Sequence, residues 1–291
     1  MVRVILFLLT NLSVMFIFGT VLFLTGIKSN SIKSLMILSG IVGFSGSITS
    51  VLLSKWSALK SVRAKIINSP SNLKEAWIVE AVRYQCSLIG IKMPDIAIYE
   101  TNEVNAFASG YSKNNAVLAL SSGLLKKMNR ENIQAVIAHE LSHIVNGDMV
   151  TLALLQGVIN TFVFFISSLI SRSVMHLLYN YRRSNYVRYY GFFVNYVISM
   201  ILQAFFGLIA SIIVMAFSRY REFRADADGA KIVGSKRMIN LLIRFKELTD
   251  PEPMQAMATY CIHGETKSVY NLFSSHPPIK DRINALKKNA L

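Results

Sequence analysis

The sequence predicts a mainly α-helical, polytopic membrane protein: four transmembrane helices joined to an α+β domain with a short β-sheet. Three observations predict this class. Residues are 53% hydrophobic and only 16% charged, mean hydropathy is +0.42, and soluble domains carry roughly 25% charged residues. Four apolar runs are long enough to cross a bilayer. The segments between and after them show the helical and alternating spacings of a folded domain. A chain of 291 residues holds one large domain or two small ones. The net charge of +15 does not point to nucleic acid. Its basic residues flank the apolar runs, where the positive-inside rule and anionic lipid account for them, so the expected partner is the lipid bilayer. Cys86 and Cys261 are far apart and fit no metal spacing. Free thiols are the default, with one disulfide as the alternative.

The first run, Val4 to Ile27, is too long for a signal peptide and lacks a small-residue cleavage site. The second, Leu35 to Ser54, follows a link containing Lys28 and Lys33. Its Gly40, Gly43 and Gly46 suit close helix packing in lipid. Residues 1–54 are therefore expected to form a transmembrane hairpin. Lys55 to Asn72 is basic, which sets the N-terminus and the following domain on the cytoplasmic side. Residues 55–148 form the first part of that domain. Leu73 to Ile89 reads as an amphipathic helix with Trp77, Ile78, Ala81 and Tyr84 inward. Pro94 opens a strand, Asp95 to Tyr99; Asn105 to Gly110 reads as a small-residue turn. Asn115 to Ser121 is a second strand and Gly123 to Met128 starts a helix. Such a sheet offers an edge near Val117 to Leu120 for an extended peptide, or is simply a pair of hairpin strands.

Residues 149–217 are expected to form a second transmembrane hairpin. It consists of Met149 to Ser171, a polar, tyrosine-rich link from Arg172 to Gly191, and Phe192 to Phe217. Arginines in the link oppose the orientation, but Arg219, Arg221 and Arg224 keep the other side more basic. Residues 218–291 complete the soluble domain. They comprise a charged helix from Arg219 to Gly234, an amphipathic helix from Met238 to Leu248, a break at Pro251 and Pro253, and a last helix from Ile279.

Chemistry enters at Ala138-His139-Glu140-Leu141-Ser142-His143. Asn132 to Ile144 holds no proline or glycine, and Ile133, Val136, Ile137, Leu141 and Ile144 recur at helical spacing. On a helix, residues four apart share a face, so both imidazoles can reach one metal ion. Glu140 lies about 100° around the helix from His139, where it can take a proton from water without being a ligand. This is the pattern of a zincin-like hydrolase, with Glu140 as general base and zinc, one ion per chain, as cofactor. A catalytic zinc needs a third protein ligand. No acidic residue lies between Asp148 and Glu222, and no third histidine follows at a ligand spacing. Two spans return the chain to the same side at Glu222, which makes it the expected ligand. Asp226 shares its face and is placed to accept a hydrogen bond from a ligand histidine. The alternative is a solvated face on which Glu222, Asp226 and Asp228 pair with Arg221 and Arg224. His276 lies in a proline-stiffened turn, near the metal or merely structural. Arg282 is a candidate for a developing oxyanion, or a surface or lipid-facing charge. His263 receives no role. There is no phosphate-binding loop and almost no charge inside the runs, which argues against an ATPase module or an ion path. A non-catalytic zinc scaffold would need four protein ligands and would leave Glu140 without a task.

Taken together, four stretches resemble the HtpX heat-shock membrane proteases, relatives of the CAAX prenyl endopeptidases. They are His139-Glu140-Leu141-Ser142-His143, Asn105-Ala106-Phe107-Ala108, Glu222-Phe223-Arg224-Ala225-Asp226, and His276-Pro277-Pro278 with Arg282. The resemblance implies zinc ligation by His139, His143 and Glu222, with Glu140 as base and Asp226 behind the ligands. It implies that Asn105 binds substrate backbone and that His276 and Arg282 approach the metal or the transition state. It further implies peptide-bond hydrolysis of damaged or misassembled membrane proteins under stress, in the bacterial plasma membrane, with the catalytic domain in the cytoplasm.

Overall fold

A computed structural model describes residues 31–181, 185–249 and 276–289. The first apolar run, Val4 to Ile27, lies outside the described residues, as do Cys261, His263 and the proline pair at 251 and 253. The elements in chain order are α1 (Ile32–Ser61), β1 (Lys65–Ile66), α2 (Leu73–Ile89), β2 (Asp95–Tyr99), β3 (Ala106–Ser112), β4 (Asn115–Ser121) and α3 (Ser122–Lys127). They continue with α4 (Arg130–Asn146), α5 (Asp148–Tyr181), α6 (Asn185–Val233), α7 (Ser235–Thr249) and α8 (Ile279–Asn289). Among the described residues, three helices are long and apolar enough to cross a membrane, at Ile32–Ser61, Asp148–Leu178 and Phe193–Val233.

The chain divides into two compact units. One takes the chain up to Ser50 together with Leu152–Ala216; the other takes Val51–Thr151 with Phe217–Leu291. The first turns many apolar side chains outward and buries several small polar ones beside Val42, Val163 and Phe164. Ser39, Ser167 and Ser211 are buried, while Ile37, Ile201 and Ile213 are exposed. That arrangement suits a lipid solvent, which gives no reward for hiding an aliphatic side chain. Gly43 shows how closely the backbones pack: a Cβ there would lie 2.2 Å from Thr161 Oγ1.

The second unit is built differently. Its sheet runs β1-β2-β4-β3, with β2 and β4 parallel and the other pairs antiparallel. Helices α2, α4 and α7 bury Ile78, Val82, Ile137, Leu141, Leu241 and Leu242 in one core with Leu118 and Leu120 of β4. Asn129 caps α4 by accepting from the Asn132 N–H at 2.8 Å, and Gly147, with φ of 64°, ends it.

Several expectations change. Tyr84 is 62% exposed, and Val82 and Cys86 take the inward positions on α2. The expected turn at Asn105 to Gly110 is mostly strand β3. Small residues are needed there because a Cβ on Gly110 would meet Asn115 O at 2.2 Å, beside the register shift between Gly110 and Ser112. The edge of the sheet beside the site is therefore β3, not the stretch from Val117 to Leu120, which is paired on both sides. The link from Arg172 to Gly191 is helical through Tyr181 and again from Asn185. The charged helix from Arg219 does not start afresh; it is the C-terminal part of α6. That expectation took a change in polarity at Arg219 for a break, although no proline stands there to stop the helix.

Candidate metal centre

The site lies within the second unit. Its α4 residues are positioned by the apolar stripe that pins one helical face to the core: Ala138 and Leu141 are fully buried, which leaves His139 and His143 together on a neighbouring face. The two rings meet edge to face, with centroids 4.8 Å apart and planes at 88°. Glu222, 4% exposed, comes from α6. Its Oε2 is 3.6 Å from His139 Nε2 and its Oε1 is 3.5 Å from His143 Nε2. One donor atom from each of these three residues can be chosen so that all lie within 4.8 Å of one another. Gly229, two turns beyond Glu222, allows this approach, because a Cβ there would reach His139 N at 3.3 Å and Met238 Cε at 2.4 Å.

Charged groups surround the trio. His139 Nδ1 lies 3.1 Å from Asp226 Oδ1, close enough for charge to act but not aligned for a hydrogen bond. Arg282 holds both oxygens of Asp226, with Nε to Oδ2 at 2.7 Å and Nη2 to Oδ1 at 2.6 Å, and its Nη1 is 3.5 Å from Glu222 Oε2. The guanidinium expected to wait for an oxyanion is thus engaged in clamping a carboxylate. Burial alone would lower Arg282, but Asp226, Glu222 and Glu140 hold it above its ordinary range. Burial likewise disfavours charge on His139, yet Asp226 and Glu222 outweigh it and push the imidazole up to about 10. His276 Nδ1 is 2.9 Å from Glu222 Oε2, although the side chain is 54% exposed. Asn105 is exposed immediately before β3, where its N–H donates to Ser121 Oγ at 3.1 Å.

Sequence reasoning missed Asp148, named above only as the last acidic residue before Glu222. Its Oδ2 is 2.6 Å from His143 Nδ1. A carboxylate five residues beyond the second histidine, just past a helix-ending glycine, was the available signal. Beside His143 lies a small apolar recess lined by Ala108, Gly110, Ala116, Ile144, Met149 and Val150 among others.

The donor set fits zinc: two imidazoles and one carboxylate match a catalytic site. Glu222 Oε2 is also buried and makes no aligned hydrogen bond among the described residues, although His276 Nδ1 stands 2.9 Å and Arg282 Nη1 3.5 Å away.

A model of peptidase family M48 matches residues 72–290. The chain belongs to peptidase family M48. That membership places it among the metallopeptidases. It is 50% identical over 287 residues to "Protease HtpX" of Buchnera aphidicola subsp. Schizaphis graminum, covering 99% of this chain and 98% of that protein. It is 49% identical over 292 residues to "Protease HtpX" of Serratia proteamaculans, again with 99% and 98% covered. Among solved structures it is similar to S. mikatae Ste24p, with a TM-score of 0.60 at 14% identity. That likeness covers 94% of this chain and 62% of the larger Ste24p chain, and it concerns the fold.

Proposed function

We propose that this M48 chain is a zinc-dependent endopeptidase of the bacterial plasma membrane that cleaves damaged or misassembled membrane proteins, as stress-linked quality control. The observation that carries the reading is the convergence of two imidazole nitrogens and one buried carboxylate beside Glu140. The relatives' name, "Protease HtpX", supports the reaction class. Three membrane-length helices support the setting, with Val4 to Ile27 proposed as a fourth span. The N-terminus and the catalytic domain are proposed to be cytoplasmic, with the domain built from residues 55–148 and 218–291.

Zinc held by His139, His143 and Glu222 would supply a Lewis acid and lower the pKa of a water towards about 7. Glu140 takes the proton of the attacking water on its carboxylate and returns it to the leaving amine. The free edge of β3 aligns an extended peptide by main-chain hydrogen bonds, with Asn105 at its start. The small apolar recess beside His143 favours a small aliphatic group of the substrate there. Arg282 keeps Asp226 turned towards His139, and His276 lies against Glu222 at the exposed side of the site.

The test is metal content and self-cleavage of the detergent-purified chain. About one zinc per chain, with cleavage stopped by a chelator and restored by zinc, is the expected result. Full cleavage by rigorously metal-free protein would overturn the reading.

A further inference from the structure

Asp148 is the first residue of α5 and follows the left-handed Gly147 that ends α4. Its side chain is 3% exposed. A carboxylate buried to that degree costs several kcal/mol in desolvation unless hydrogen bonds or an opposite charge compensate it. Its side chain meets His143, whose Nδ1 is 2.6 Å from Oδ2. Its backbone carbonyl accepts from the buried Arg221 Nη1 at 3.2 Å, and Arg221 directly precedes Glu222. Asp148 thus touches one candidate ligand through its side chain and the neighbour of another through its main chain. The two histidines are held differently. Asp226 faces His139 without hydrogen-bond alignment and is occupied by Arg282, whereas Asp148 meets His143 directly.

We infer that Asp148 is the positioning residue for His143, keeping the proton on Nδ1 so that Nε2 is left to the metal, and tying that orientation through Arg221 to the helix that carries Glu222. A ring nitrogen that donates to a carboxylate also makes its ring a stronger ligand. The inference rests on the metal-site reading above. It adds that the first residue of a membrane-length helix, α5, sets the geometry of a ligand on α4.

The experiment compares Asp148→Ala and Asp148→Asn with wild type as full-length protein in detergent. It reads zinc affinity by chelator competition, the visible absorption of the cobalt-substituted site, and thermal unfolding of the metal-free form. Asp148→Ala is expected to lose about 10- to 100-fold in zinc affinity and to alter the cobalt spectrum, while its metal-free unfolding stays near wild type. Asp148→Asn, which keeps the volume and an acceptor, is expected to lose less. Wild-type affinity and spectrum in Asp148→Ala overturn the inference. If Asp148→Ala does not fold, Asp148→Asn decides: an altered cobalt spectrum with weaker zinc binding supports the role, and wild-type values overturn it. A wild-type chain that binds no zinc overturns the metal-site reading itself, which separates the two failures.

Discussion

His139 and Glu140 are neighbours on α4, and substituting each should separate metal binding from proton transfer. Glu140→Ala removes a base that is not a ligand. Zinc content should stay at the wild-type level while cleavage falls by about 10²- to 10⁴-fold; wild-type cleavage in that variant rules out the mechanism. His139→Ala removes a donor, and both zinc and cleavage should be lost; intact zinc content excludes its ligand role. The same histidine predicts a pH dependence. Without metal its pKa is near 10 against an ordinary 6.5. In the metal-free protein the stabilisation linked to this group is therefore full below 6.5 and lost as pH rises through about 10. Zinc needs the neutral ring, so acid competes with it. Titrations between pH 6.5 and 8.5 should show zinc binding tightening by about tenfold or more per unit, with proton release; a flat profile contradicts the charge state assigned to His139.

At the scale of elements, the site depends on α6 running unbroken from Asn185 to Val233. Glu222 is presented by the continuation of a membrane-length helix rather than by a loop, so its position relative to α4 depends on how closely the two helices meet. Gly229 permits that approach. Gly229→Leu places a branched side chain where a Cβ alone already lies 3.3 Å from the His139 backbone nitrogen. The helices must then separate, at about 1–3 kcal/mol of overpacking. Zinc affinity should fall at least tenfold while far-ultraviolet circular dichroism keeps its helical content. Undiminished zinc binding would mean that this contact does not set the ligand spacing. Edge strand β3 has a similar requirement at Gly110, where the backbone of β4 leaves no room for a side chain.

At the scale of the molecule, the second unit is assembled from Val51–Thr151 and Phe217–Leu291, two stretches separated in sequence by apolar helices. Its candidate ligands come from both stretches: His139 and His143 from one, Glu222 from the other. A metal held there would join distant parts of the chain and would bind the folded state in preference to the unfolded one. At 100 times its dissociation constant, zinc should stabilise the protein by about 2.7 kcal/mol. Differential scanning of the inactive Glu140→Ala variant, which avoids self-cleavage, should show a lower unfolding temperature after chelation and recovery with zinc. No shift would mean that the ion does not link the two stretches.

The membrane character, the α4 helix and the pair His139 and His143 were legible because each is written in local order: apolar length, helical periodicity, and a spacing of four. Leu73–Ile89 and Asn115–Ser121 were legible for the same reason, the first from helical spacing and the second from a short apolar run. Glu222 could be named because intervening acidic residues are absent, but only the fold brings its oxygens to 3.5 and 3.6 Å from the imidazoles. The edge position of β3, the commitment of Arg282 to Asp226 and the hold of Asp148 on His143 belong to the tertiary structure alone. Pairing partners and the direction of a long side chain depend on contacts between residues distant in sequence, and no local pattern encodes them.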